Sequence, residues 1–178
     1  ATYYFFLTKP GNIISVANKI MKENYSIQYR EIESDLNFLS PFVVLSDVII
    51  KDQENNEIIK SDEIKIGLKI IKSLLNGYID LNTLSITNIE FLNGTTSKTS
   101  NGIYRINISN LHIHSNQFIF STRNTEILNK EGNLSIFNKD GKINNIPFKE
   151  LSVFNKAESG FYQYLAFFEL DENIIEKE

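Results

Sequence analysis

From Tyr25 onward the chain alternates apolar and polar residues with a period of two, the repeat of a strand that turns one face away from water. Ile27, Tyr29 and Ile32 open the pattern. The run Pro41 to Leu45 resumes it after a turn-like stretch at Asp35 to Asn37, and Ile64, Ile66, Leu68 and Ile70 alternate most cleanly, with Lys65, Gly67 and Lys69 between them. Polar turns are expected at Lys51 to Asn56 and at Ser61-Asp62, on either side of Ile58-Ile59. Helical spacing occurs at two places: Ile13, Val16, Ala17, Ile20 and Met21 form one stripe over 12–23 with Asn12 as N-cap, and Ile70, Ile71, Leu74 and Leu75 predict a short helix ending at Asn76-Gly77. Further strands are expected over 78–81, 84–91, 103–113, 117–121, 134–137, 142–148, 151–154 and 162–170. A polar loop at 93–101 and a hairpin turn at Asp140-Gly141 punctuate them.

One short pattern recurs: Leu45-Ser46-Asp47-Val48-Ile49-Ile50, Ile86-Thr87-Asn88-Ile89-Glu90-Phe91 and Ile108-Ser109-Asn110-Leu111-His112-Ile113. Each reads apolar, hydroxyl, Asp or Asn, apolar, any residue, apolar. Positions one, four and six cannot share one face of a regular strand, so a β-bulge at positions two and three is expected in each.

Composition narrows the function. The chain of 178 residues is 42% apolar and 22% charged, which suits a folded chain, and no stretch of 18 apolar residues occurs in it. A net charge of −4 with three arginines, Arg30, Arg105 and Arg123, gives no basic face for nucleic acid. The absence of cysteine removes disulfides, thiolate metal sites and cysteine nucleophiles. With 22 asparagines in the chain, the Asn-x-Ser/Thr matches at Asn24, Asn93, Asn107 and Asn133 are read as chance rather than as glycosylation sites.

Chemistry-bearing clusters are sparse. His112-x-His114 would need Glu90 from a neighbouring strand to hold zinc, and is read as a pair of exposed imidazoles. Asp52, Glu54 and Glu57 do not make a calcium loop, because Glu57 stands where such a loop needs glycine. No nucleophile elbow or phosphate loop is present in the sequence, and Asp47, Glu63 and Glu90 fall on outward positions or in turns, so catalysis is not expected. No cofactor or metal is expected either. Lys65, Lys69 and Lys72 share the polar side of the strand and turn, where they could meet anionic headgroups, and read more simply as solubilising charge.

These patterns predict a mostly β, antiparallel, curved groove-forming sheet with an amphipathic capping helix over 12–23 and a short second helix. One helix cannot cover the apolar face of eight or nine strands, so the sheet must fold over on itself or bind something greasy. The residues expected to line that face are Leu45, Val48, Ile50, Ile64, Ile66, Leu68, Ile86, Ile89, Phe91, Ile106, Ile108, Leu111, Ile113, Phe118 and Phe120.

The order of elements carries a resemblance. An aromatic patch at Tyr3 to Leu7, the helix Asn12 to Glu23, a strand at Ser26 to Ile32, the Leu-Ser-Asp-Val core within Pro41 to Ile50, the Asp62 to Ile70 strand, the Lys69 to Gly77 helical turn and the Ile79 to Phe91 strand pair follow one another over about the first ninety residues. In this order the chain resembles the N-terminal, membrane-proximal region of AsmA-like bacterial envelope proteins, the YhdP/TamB type. The resemblance implies an inner-membrane protein with a single N-terminal anchor, of which residues 1–10 would be the end or an edge segment. It implies one β-groove domain over 11–178 facing the periplasm, which binds or conveys phospholipid between the inner and outer membranes. Its partners would be phospholipid acyl chains, the inner membrane and other envelope proteins. The competing expectation is a non-lipid scaffold or interaction module of a cell-envelope complex, built as a closed sandwich.

Overall fold

The computed structural model describes residues 25–35, 41–52, 54–92, 103–158 and 161–170. In chain order these form β1 (Tyr25–Gln28), β2 (Glu31–Asp35), β3 (Phe42–Asp52), β4 (Glu57–Leu68), α1 (Ile70–Asn76), β5 (Ile79–Thr87), β6 (Glu90–Phe91), β7 (Tyr104–His114), β8 (Ile119–Lys130), β9 (Asn133–Ile143), β10 (Ile146–Glu158) and β11 (Phe161–Leu170). The helix expected over 12–23 and the aromatic patch at 3–7 lie outside the described residues.

All eleven strands belong to one open sheet, ordered β1-β3-β4-β5-β7-β8-β9-β10-β11, with β2 also on β3 and β6 on β4. Neighbours are antiparallel except β5 and β7, which run parallel with Ile79 level with Ile106 and Ile86 level with Ile113. Cross-strand partners share a face. Leu45, Ile64, Ile86, Ile113, Phe120 and Ile143 follow one another across six strands in this way, so a single apolar face runs through the sheet.

The recurring hexapeptides are where this face changes phase. In a regular strand residues 45 and 48 would point to opposite sides, yet Leu45 and Val48 are both 1% exposed. Asp47 between them takes a left-handed conformation, φ 49°, which reverses the alternation. On β4 the facing residues do the same, Ser61 and Ile64 both being buried, and in the gap between β5 and β6 Asn88 adopts φ 52°. A second line of such points crosses the other half of the sheet. Ile108 and Leu111, Thr122 and Thr125, and Asn138 and Gly141 are each buried three residues apart on β7, β8 and β9.

One-sided bulges were expected at these sites. Instead, Ser46 pairs with Glu63 and Val48 with Ser61, and Ile108 pairs with Thr125 and Leu111 with Thr122, so neighbouring strands change phase together and no residue is looped out between them. The result is two creases. Side chains serve the backbone groups that the creases release: Ser61 Oγ lies 2.7 Å from the Thr87 carbonyl and Thr122 Oγ1 lies 2.7 Å from that of Lys139, while the Arg30 guanidinium pairs with the Asp47 carboxylate at 2.8 Å.

The creases also correct two expected turns. Ser61-Asp62 lies within β4, and Asp140-Gly141 lies within β9. Asp140, at φ 53°, spends its left-handed conformation on the crease, and the chain reverses later at Asn144-Asn145, where φ is 47° and 71°. Gly141 is needed for packing rather than for turning. The Phe148 ring of β10 lies where a Cβ on Gly141 would stand, is itself 2% exposed, and continues an aromatic line to Phe120 and Phe168 with centroids 5.8 and 5.7 Å away.

The expectation of one apolar and one polar face holds over β3 to β7 and changes toward the far edge. On the reverse side of β9 to β11, Phe137, Phe154 and Phe167 form a second aromatic line with centroids 5.3 and 6.0 Å apart, and Leu165 and Phe167 are 55% and 62% exposed.

Because the Phe148 ring occupies the Gly141 dimple, Gly141→Ala is expected to overpack the second crease and cost about 1–3 kcal/mol of stability. Urea unfolding of the two proteins side by side measures this.

Candidate functional site

The candidate site is the apolar face itself. Val43, Leu45, Val48 and Ile64 form one buried cluster, against which Ile27, Tyr29, Ile32, Ile50, Ile66, Leu84 and Ile86 pack. Leu81, Ile108 and Leu111 form a second, against which Leu68, Ile106, Ile113, Phe120 and Ile127 pack, and Ile66 and Leu84 touch both. Among the described residues, the side chains packed on these clusters come from the same sheet.

The structure therefore brings together twelve of the residues singled out in the sequence: Leu45, Val48, Ile50, Ile64, Ile66, Leu68, Ile86, Ile106, Ile108, Leu111, Ile113 and Phe120. The remaining three stand apart. Ile89 is buried in the link between β5 and β6, where its N–H donates to the His114 carbonyl. Phe91 is 65% exposed on β6 at the end of the face, and Phe118 sits in the turn between β7 and β8, which Ser115 Oγ holds through the N–H groups of Gln117 and Phe118. Sequence reasoning missed Val43, Leu81 and Phe148, each buried at 8% exposure or less. Val43 was hidden in an unbroken apolar run, and its alternation with Leu45 was the signal available.

The face changes chemistry along the sheet. Over β3 to β7 it is mostly aliphatic and buried along its middle, with Ile79, Phe91 and Tyr104 exposed at its ends. From β8 it carries buried polar residues among the apolar ones: Thr125 Oγ1 donates to Asn138 Oδ1 at 2.9 Å, and Asn138 Nδ2 donates to the Leu151 carbonyl at 3.1 Å. Ile136, Leu151 and Val153 beside them are half-buried, and on β11 Phe168 and Leu170 rise to 47% and 40% exposure. The accessible part of the apolar face is thus its β8 to β11 sector.

The sheet is curled rather than flat. Tyr25 on β1 and Tyr104 on β7 are four strand spacings apart in the sheet order, roughly 19 Å if the sheet were flat. Burial first, and the Tyr25 phenol second, hold the Tyr104 hydroxyl above its ordinary value of 10.0. At this corner of the apolar face Tyr104 remains 41% exposed and Ile79 44%.

The reverse face is polar here and anchors α1. Asp80, 1% exposed, receives the ammonium groups of Lys69 at 3.8 Å and Lys72 at 3.2 Å, and its backbone N–H donates to Ser73 Oγ at 2.9 Å. Lys69 also donates to Ser109 Oγ. A depression of about 240 Å³ beside it is lined by Lys72, Asp80, Asn107, Glu126, Phe137 and Lys139, and Arg105 closes on Glu126 at 2.6 Å while stacking on the Tyr78 ring. His112 and His114 are exposed on this face, and no three His, Asp or Glu side chains among the described residues are grouped to hold a metal ion. The acidic turn after β3 satisfies its own carboxylates: Asp52 accepts the Asn56 N–H at 2.8 Å, and the Lys60 ammonium, 2.7 Å from Glu57, holds that carboxyl below its ordinary 4.5.

The Tyr104 environment has a sign. The folded state keeps the phenol proton that the unfolded chain releases near 10.0, so this contribution to stability is complete below that pH and is lost as pH rises through the raised value. Ultraviolet titration is expected to show a late-ionising tyrosine that disappears in Tyr104→Phe. No protein-family model matches the chain, and no curated protein or solved structure matches it.

Proposed function

We propose that this chain is the lipid-handling groove domain of an AsmA-like envelope protein. In this reading it is anchored in the bacterial inner membrane, projects into the periplasm, and binds phospholipid acyl chains on its way to conveying them toward the outer membrane. The observation that carries the reading is the single apolar face, continuous across the sheet and packed, among the described residues, by side chains of that sheet alone. The order of elements over the first ninety residues supports it.

An acyl chain laid on such a face gains about 0.8 kcal/mol per buried methylene without any directed hydrogen bond, so it is held along its length and is free to slide. The work is binding rather than catalysis. The closed β3 to β7 sector serves as the wall, and the β8 to β11 sector, with Ile136, Leu151, Val153 and Phe168, is the part that takes the chain. The headgroup stays outside, at the end of the face where Ile79 and Tyr104 are exposed.

A second reading, a non-lipid interaction module, draws support from the apolar reverse side of β9 to β11, where Leu165 and Phe167 stand exposed. An acyl-chain probe separates the two. A naturally fluorescent fatty acid titrated into the protein is expected to brighten and to be displaced by phospholipid, and Phe168→Glu is expected to weaken it by about tenfold while the melting temperature holds. Failure of the wild-type protein to brighten the probe would favour the interaction module.

A further inference from the structure

Helix α1 is inverted relative to an ordinary surface helix. Its polar side faces the sheet, through Ser73 on the Asp80 backbone and Lys72 on the Asp80 carboxylate, and none of its residues is buried. Its apolar side faces outward: Ile71, Leu74 and Leu75 are 48%, 58% and 82% exposed. An amphipathic helix normally turns its apolar stripe inward.

The surroundings extend this patch. Ile103 stands one residue before β7, whose Ile106 pairs with Ile79 just after α1, and it is 75% exposed. Two lysines share the one buried carboxylate of Asp80, so the helix face keeps one net positive charge, and the side chain of Lys72 is 57% exposed. Arg105 neutralises Glu126 and lies against Tyr78, with Tyr104 next to it in sequence. Protruding aliphatic side chains bordered by cations and tyrosines fit the boundary of a bilayer, which accepts apolar side chains of any shape and rewards cations at its phosphate level.

We propose that α1 and the adjoining starts of β5 and β7 form a corner that docks on an anionic lipid bilayer. Ile71, Leu74, Leu75 and Ile103 enter among the headgroups, and Lys72 lies at the level of the phosphates. The corner borders the end of the apolar face where Ile79 and Tyr104 are exposed, so docking turns that end toward the lipid. This contact does not require that the apolar face hold a lipid, and the two are measured separately.

Flotation of the full chain with vesicles of phosphatidylcholine, with and without phosphatidylglycerol, tests the contact. The wild-type protein is expected to float with the anionic vesicles and less as salt is raised, and Leu74→Asp/Leu75→Asp to lose about tenfold or more of that binding. Phe168→Glu, which lies on the opposite sector, is expected to float like wild type. Both leucines are exposed, so unchanged melting is expected, and Leu75→Asp alone serves if the double variant melts early. A wild-type protein that stays in solution, or a double variant that floats as well as wild type, overturns the proposal. So does a wild-type dimer that the double variant dissolves and that does not float.

Discussion

Among the described residues one requirement organises the rest: an apolar face on which only side chains of its own sheet pack is taken out of water by bending. A regular strand alternates its sides without interruption and bends poorly across its own direction. The two creases meet the requirement. At each, a residue such as Asp47, Asn88 or Asp140 accepts a left-handed backbone, neighbouring strands shift phase together, and apolar residues three positions apart point to the same side. Hydroxyl and amide side chains at the creases take up backbone carbonyls there, Ser61 that of Thr87, Thr122 that of Lys139 and Asn138 that of Leu151.

The bending is uneven, and the site inherits that. Around β3 and β4 the face is buried, and Val43, Leu45 and Val48 reach 1% exposure. Toward β11 apolar side chains surface on both sides, and buried Thr125 and Asn138 interrupt the aliphatic strip with a satisfied polar pair. Such a pair sets a fixed point on a face otherwise indifferent to position. A slot with one closed wall and one open sector suits an extended flexible chain better than a compact ligand.

Much of this was legible in the sequence because period-two alternation and the hexapeptide both report backbone geometry directly. The three-residue spacing of Leu45 and Val48, and of Ile108 and Leu111, marks a phase change in the letters alone. What the letters could not carry was where a left-handed Asp is spent. Asp140-Gly141 has the composition of a hairpin, but Phe148, a partner strand away, claims the glycine, and the turn passes to Asn144-Asn145. The parallel pairing of β5 with β7 and the inverted seat of α1 were equally hidden. The seat of α1 depends on Asp80, whose single carboxylate attracts Lys69 at the head of the helix and Lys72 within it, where the helix's apolar residues alone would have turned it over.

The central claim is that this curled face holds a phospholipid. Native mass spectrometry of the chain released from bacterial membranes in mild detergent tests it most directly. The account predicts the protein mass together with species heavier by one phospholipid, the added mass varying with acyl-chain length. Folded protein released from the same membranes at its bare mass alone would contradict it.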